Sequence, residues 1–235
     1  NVGGHRAGHP ETYWSPYQNP RLADGPAGEY LTDRLTDEAI ELIRGRDKPF
    51  FLNLCYYAVH TPIEGKPEHV AKYEAKAASL GLDRRNPFEV GEPIPCEHKR
   101  HKRVTRRLFQ SDPGYAAMVQ SVDENVGRLL AALEEEGIAD DTVVVFTSDN
   151  GGLATAAGSP TCNAPLSEGK GWMYEGGTRE PLLVRWPGVT AADSVCTVPV
   201  TSTDFYPTFL DMAGLDPLPE QHVDGVSITG LLRGE

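Results

Sequence analysis

From Glu29 to Ile43 apolar side chains return at helical spacing, with Leu31, Leu35, Ala39, Leu42 and Ile43 sharing one face. A helix is expected there. Phe50-Phe51-Leu52-Asn53-Leu54-Cys55-Tyr56-Tyr57 then reads as a strand, apolar on both faces as a strand covered on both sides should be. A second helix is expected after Pro67, through Val70, Tyr73 and Ala77, while residues 81–107 show no period and read as irregular and polar. The strongest helical signal opens at Ser111-Asp112-Pro113. Asp112 suits the N-cap and Pro113 the first helical position. Tyr115, Val119, Val122, Val126, Leu129, Leu130 and Leu133 follow at steps of three and four, and Gly137 is a natural stop.

The β-branched run Thr142-Val143-Val144-Val145-Phe146-Thr147 predicts a central buried strand, and Leu182-Leu183-Val184-Arg185-Trp186 a third strand ended by Pro187-Gly188. Between them residues 149–179 are loop-rich. Phe205, Phe209 and Met212 mark a further helix stopped at Gly214, and the chain closes in what reads as the end of another helix. Residues 1–28 are punctuated by Gly and Pro and read as loop. No internal repeat is visible. Helices alternating with strands predict an α/β fold whose sheet is mixed or mostly parallel, with helices on both faces.

The 235 residues suffice for one large domain or two small ones, and 39% apolar with 24% charged residues fits a folded core. No apolar stretch reaches the length of about 20 residues that a membrane-spanning helix needs. The formal charge of −12 argues against a general nucleic-acid binder. One segment runs against this balance. His98-Lys99-Arg100-His101-Lys102-Arg103, with Arg106 and Arg107, holds six Lys and Arg and no acid, and the rest of the chain carries 16 basic and 34 acidic residues. Such a segment is either a solvated loop or a cradle for a polyanion such as a sulfated glycan. It should be exposed, because six cations cannot be buried without partners. The cysteines Cys55, Cys96, Cys162 and Cys196 form no C-x-x-C pair, so a zinc ribbon is not expected.

In open α/β sheets, ligands bind beyond the carboxyl ends of strands. The first strand runs into Ala58-Val59-His60-Thr61-Pro62 and the second into Ser148-Asp149-Asn150-Gly151-Gly152. Asp149 and Asn150 offer adjacent hard oxygens suited to Ca²⁺ or Mg²⁺; the same residues would also close a strand in an Asx turn. Lys170, between Gly169 and Gly171, can approach an oxyanion closely or stand as a solvated loop lysine. His60 is a loop residue or a catalytic group. Arg179 is an anion contact or half of a buried ion pair. His5 and His9 stand four apart, but Gly3, Gly4, Gly8 and Pro10 make that stretch a loop rather than a helical metal pair.

Thr147-Ser148-Asp149-Asn150-Gly151-Gly152, then Lys170-Gly171, then Glu175-Gly176-Gly177-Thr178-Arg179-Glu180-Pro181 resembles the sulfatase family of the alkaline-phosphatase-like superfamily. Lys48-Pro49-Phe50-Phe51 through His60-Thr61-Pro62, Gly114–Val119 with Asp123 and Gly127, and Val200–Asp204 with Pro207-Thr208 and Ala213-Gly214 fit it in the same order. The pattern looks most like the arylsulfatase-A-like branch. The resemblance implies that Asp149 and Asn150 ligate a divalent cation, Ca²⁺ with Mg²⁺ as an alternative. It also implies that Lys170 contacts the sulfate and His60 the sulfate ester, and it places His5 and His9 near the substrate. It implies hydrolysis of a carbohydrate or aryl sulfate.

The family's formylglycine arises from a Cys/Ser-x-Pro/Ala-x-Arg motif, and no cysteine or serine here leads one. The family's early Asp-Asp ligands and Gly-Lys-Trp-His segment are also absent. Residues 1–235 are therefore expected to be the second part of a sulfatase catalytic domain, cut at both ends and inactive alone, with the nucleophile upstream of Asn1. Truncated sheet edges would favour self-association. A periplasmic or secreted location is implied by the resemblance only. A phosphate- or phosphonate-ester hydrolase of the same superfamily and a non-catalytic glycan-binding remnant are the alternatives.

Overall fold

The computed structural model describes residues 11–19, 21–221 and 224–235, so His5 and His9 lie outside the described residues. Two compact units are present. One comprises residues up to Ala139 together with Ser148–Pro181; the other comprises Asp140–Thr147 and Leu182–Glu235.

The first unit is built on three helices. Helix α1 is Leu31–Arg44, α2 is Pro67–Ser79 and α3 is Pro113–Glu135, each within two residues of its sequence-based bounds. Both α1 and α2 pack on α3. The apolar stripe of α1 is buried as expected at Leu31, Leu35, Ala39 and Ile43, while Leu42 is exposed. Tyr13, Tyr17, Leu22, Tyr30 and Met118 complete the core around it. Asp112 caps α3 by accepting a hydrogen bond from the Tyr115 amide at 3.0 Å. Gly137 takes a φ of 66°, the left-handed geometry that ends the helix without a Cβ clash.

Residues 50–57 are in neither sheet among the described residues, which corrects the strand expected there. They still alternate as an extended segment does. Leu52, Leu54 and Tyr56 are half-buried while Phe51, Asn53 and Cys55 are exposed. Leu54 and Tyr56 pack on the tyrosine-rich core, and the Tyr56 hydroxyl lies 2.7 Å from that of Thr36 on α1. One face is covered rather than two.

Contrary to what the sequence suggested, residues 81–107 are not irregular throughout. They contain an antiparallel hairpin of β1 (Phe88–Pro93) and β2 (Arg103–Arg107), pairing Phe88 with Arg107 and Val90 with Thr105. A bulge falls between Val90 and Pro93. Charged residues occupy five of the eleven strand positions and Gly91 and Pro93 interrupt β1, so no sustained alternation of apolar and polar residues betrays the strands. Arg106 supplies the force that hydrophobic pairing does not. Its guanidinium donates to both carboxyl oxygens of Glu92, at 3.1 and 2.7 Å. Gly91 leaves it room, since a Cβ there would lie 2.3 Å from its Nη1.

That ion pair makes a pH-dependent contribution. The Arg106 hydrogen bonds hold the Glu92 carboxyl down to about 2. A depressed carboxylate adds stability above its unfolded pKa near 4.3, and loses it as pH falls towards the folded value. Glu92 is well exposed, so water screens the effect. The stability difference between wild type and Glu92→Gln is expected to shrink as pH falls from about 5 to about 2. Urea melts of both proteins across that range check it.

In the second unit, β3 (Val144–Thr147) pairs antiparallel with β4 (Leu182–Arg185), Phe146 opposite Leu183. These are half-buried or exposed rather than central and buried, with Phe146 41% and Leu183 58% exposed. Both strand pairs among the described residues are thus antiparallel, within an α/β arrangement. Helix α5, Phe205–Met212, follows a capping box in which Thr201 and Asp204 bond reciprocally, and α6 is Thr229–Arg233. Asp204 also accepts from the Val226 amide at 3.0 Å, and the Thr208 hydroxyl from the Ile228 amide at 3.0 Å. No helix among the described residues is long and apolar enough to cross a membrane.

Candidate functional site

Ser148-Asp149-Asn150 follow directly on β3, as the strand-end rule requires. Asp149 is exposed and Asn150 half-buried. The Ser148 hydroxyl donates to the Asn150 carbonyl at 3.0 Å and tightens the turn. Gly151 and Gly152 then carry the chain through a space with no room for side chains. A Cβ on Gly151 would lie 1.8 Å from the Gly176 carbonyl oxygen, and one on Gly152 2.4 Å from the Thr161 side chain. The Gly151 amide donates to Gly177 at 3.3 Å.

The Lys170 loop is joined to this turn through backbone. The Lys170 amide donates to the Gly152 carbonyl at 3.0 Å. Gly169 is needed because a Cβ there would stand 2.3 Å from that same carbonyl oxygen, and Gly171 because its φ is 86°. The Asn163 amide closes the arrangement, donating to the Gly152 carbonyl at 2.8 Å and the Glu168 carbonyl at 3.0 Å. The short helix α4, Glu175–Thr178, seals the third side, its Gly176 amide donating to Ser167 at 2.7 Å. Asp149, Asn150 and Lys170 are therefore carried by loops that contact each other backbone to backbone.

His60 sits in a separate turn. Its amide donates to the Tyr57 carbonyl at 2.9 Å, and its own carbonyl accepts from the Tyr13 hydroxyl at 2.8 Å. Burial pushes the Tyr13 phenol up, so it stays a donor. The ring Nδ1 lies 2.9 Å from the Thr61 carbonyl oxygen and 3.3 Å from the Thr61 hydroxyl. The peptide bonds Ala58–Val59 and Thr61–Pro62 flanking this residue are cis. Ile63 lies against Gly114 at the start of α3, and Tyr115 there shares a hydrogen bond with Thr161.

Electrostatics single out Glu180. Burial, and then the charge of Asp149, raise its carboxyl above the ordinary range. Its Oε1 is buried and has no hydrogen-bond partner among the described residues. Two carboxyl groups thus act on each other in a common region. Arg179 does not fill the gap: it is exposed and pairs with exposed Glu175 at 3.3 Å, which corrects the buried ion pair offered as one reading. No group of three His, Cys, Asp or Glu capable of holding a metal occurs among the described residues. The four cysteines are free.

Sequence reasoning missed Glu180, Glu168 and Asn163. Glu180 stood inside the quoted Thr178-Arg179-Glu180-Pro181 motif, where the arginine drew attention. Glu168 is 11% exposed and accepts from Arg106 at 2.5 Å, a pairing across 62 residues that no local pattern announces.

The sequence matches the family described as Sulfatase over residues 4–215. The chain belongs to the sulfatase family. It is 39% identical over 231 residues to a sulfatase of Formosa agariphila, covering 92% of this chain and 36% of that protein. Among solved structures it superposes on Ps i-CgsB in complex with k-i-k-neocarrahexaose with a TM-score of 0.67, at 32% identity over 88% of this chain and 39% of that one. A phosphonate monoester hydrolase of Agrobacterium radiobacter shares the fold, with a TM-score of 0.58 at 23% identity over 87% of this chain and 42% of that one. The chain thus spans little more than a third of the length of the sulfatases it matches. The expected α/β, alkaline-phosphatase-like class stands, and the family match takes in His60, Asp149, Asn150, Lys170 and Glu180 together.

Proposed function

We propose that these residues form the cation-facing and sulfate-facing part of a sulfatase active site, in a protein that hydrolyses a carbohydrate or aryl sulfate to the alcohol and sulfate. The observation that carries the reading is the backbone junction between the Asp149–Asn150 turn and the Lys170 loop, with the Glu180 carboxylate beside it. Sulfated carbohydrate is favoured as the substrate class because Ps i-CgsB, the solved relative at 32% identity, is described with a neocarrahexaose bound.

A divalent cation fits the donors. Asp149 and Asn150 supply hard oxygens, and the unpartnered Oε1 of Glu180 near Asp149 marks a place where positive charge is wanted. Asp149 and Asn150 would hold Ca²⁺, or Mg²⁺. Two side chains fall short of the six to eight oxygens Ca²⁺ takes, so the chain alone binds it weakly. When bound, the cation stabilises negative charge on the sulfuryl oxygens. Lys170, on a loop held by its own backbone amide, supports the same oxygens as a point charge. His60 would contact the sulfate ester and exchange a proton with the leaving-group oxygen.

No Cys/Ser-x-Pro/Ala-x-Arg motif occurs in these 235 residues, so formylglycine chemistry requires a segment that supplies it. The test is turnover of 4-nitrophenyl sulfate and of 4-nitrophenyl phenylphosphonate. The purified chain should turn over neither, and joined to a segment supplying the motif it should prefer the sulfate. Preference for the phosphonate, or turnover by these residues alone, overturns the reading.

A further inference from the structure

The hairpin tip carries charge that the site chemistry does not use. His98, Lys99, Arg100, His101, Lys102 and Arg103 are all exposed. Arg100 pairs with exposed Glu97 at 3.0 Å, and Arg103 lies in the field of Glu92. Lys99 and Lys102 form no ion pair among the described residues. The expectation of exposure therefore holds for 98–103, whereas Arg106 and Arg107 are structural. Arg107 is buried, donating to the Ser159 carbonyl at 2.5 Å and the Ser111 hydroxyl at 2.6 Å.

The base of the hairpin is fixed to the Lys170 loop. Arg106 donates from Nε and Nη2 to Glu168, two residues before Lys170, at 2.5–3.1 Å. The outer edge of β2 bonds to the segment after Gly152, with the Arg107 amide 2.9 Å from the Ala154 carbonyl and the Thr105 amide 3.3 Å from that of Thr155. Trp172, two residues past Lys170, donates to the Thr155 hydroxyl at 3.0 Å. A rigid connection thus runs from the loop bearing Lys170 to the basic tip.

We infer that the tip, residues 98–103, is a second anion subsite that binds sulfate groups on the same extended glycan whose sulfate ester is presented to Lys170. The inference rests on the sulfatase reading above. Distance decides between this and simple steering. Three residue steps along β2 carry the chain from Arg106 to Arg103, about 10 Å at strand rise. That is about one Debye length at physiological salt, so tip charges act weakly on a small ester held at Lys170. They act by direct contact with a ligand long enough to reach them, which means several sugar units bearing more than one sulfate. Nucleic acid is the poorer occupant, since the tip has no Phe, Tyr or Trp on which bases could stack.

The experiment is fluorescence anisotropy of labelled dextran sulfate with the purified chain, over a series of salt concentrations. Proteins compared are wild type, Lys99→Ser/Lys102→Ser, the fourfold variant that adds Arg100→Ser and Arg103→Ser, and Lys170→Ala. Thermal melts check that each is folded; the exposed double substitution safeguards the test should the fourfold one not fold. The fourfold variant should bind about ten-fold more weakly, with its log–log salt slope reduced by about 2–3, and the double variant should lose part of both. Lys170→Ala should also weaken binding, since the same glycan reaches it, but by less than the fourfold variant, because it removes one contact of several. Unchanged binding and slope in the tip variants overturns the inference. So does tighter binding of poly(dT) than of dextran sulfate at matched charge. Failure of the sulfatase reading shows separately, in the turnover of 4-nitrophenyl sulfate.

Discussion

Gly151→Ala is expected to lower the stability of the chain by about 3 kcal/mol or more. The added Cβ would stand 1.8 Å from the Gly176 carbonyl oxygen and 2.9 Å from the Gly177 Cα. Both neighbours are backbone, so no side chain can swing aside. The strain is relieved only by parting the Asp149–Asn150 turn from α4, which breaks the Gly151–Gly177 hydrogen bond and loosens the contacts that hold the Lys170 loop. Gly127→Ala is the control. Gly127 lies inside α3 with nothing within 4 Å of its built Cβ, and alanine there gains helix propensity of about 0.5–1 kcal/mol. Denaturant melts should therefore move in opposite directions for the two variants. A Gly151→Ala midpoint equal to wild type would mean that the junction of the loops is not tight.

Lys170→Ala is expected to cost about 10²–10³ in turnover of an aryl sulfate once a nucleophile segment is supplied, with most of the loss in kcat. The reason is where the lysine is carried. Its backbone amide is tied to Gly152 and a Cβ on Gly169 would meet that same carbonyl, so the backbone that bears it is set before substrate arrives. A charge placed in advance stabilises developing charge on the sulfuryl oxygens without reorganisation. Lys170→Arg should recover little, because a planar fork replaces a compact point charge. The kcat and KM of the three proteins check this; a loss confined to KM would make Lys170 a uniform binding group.

The helices were legible because their signals are local. The stripe of α1, the Asp112 cap and the Gly137 stop each need only neighbours in sequence. The strands were less so. Phe50–Tyr57 is apolar enough for a doubly covered strand, yet a run of apolar residues records only that covering is wanted, and one face is covered among the described residues. The β1–β2 hairpin escaped because its stabilising contacts are ionic: Arg106 with Glu92 and Glu168 has no period to detect. At the candidate site Asp149, Asn150 and Lys170 could be named from motif order. What brings their loops together, glycines in backbone contact and the Asn163 amide, is tertiary. Glu180 became visible only when its burial beside Asp149 was seen.

The central claim is that Asp149–Asn150 and Lys170 serve one anion together with one cation. Calorimetric titration of inorganic sulfate into the purified chain, without Ca²⁺ and with Ca²⁺ in excess, tests it most directly. Sulfate should bind more tightly when Ca²⁺ is present, and Ca²⁺ should bind more tightly in sulfate by the same factor, as linkage requires. Lys170→Ala should weaken sulfate binding under both conditions, and Asp149→Ala should abolish the Ca²⁺ dependence. Sulfate binding that is indifferent to Ca²⁺ and unchanged in both variants would contradict the account.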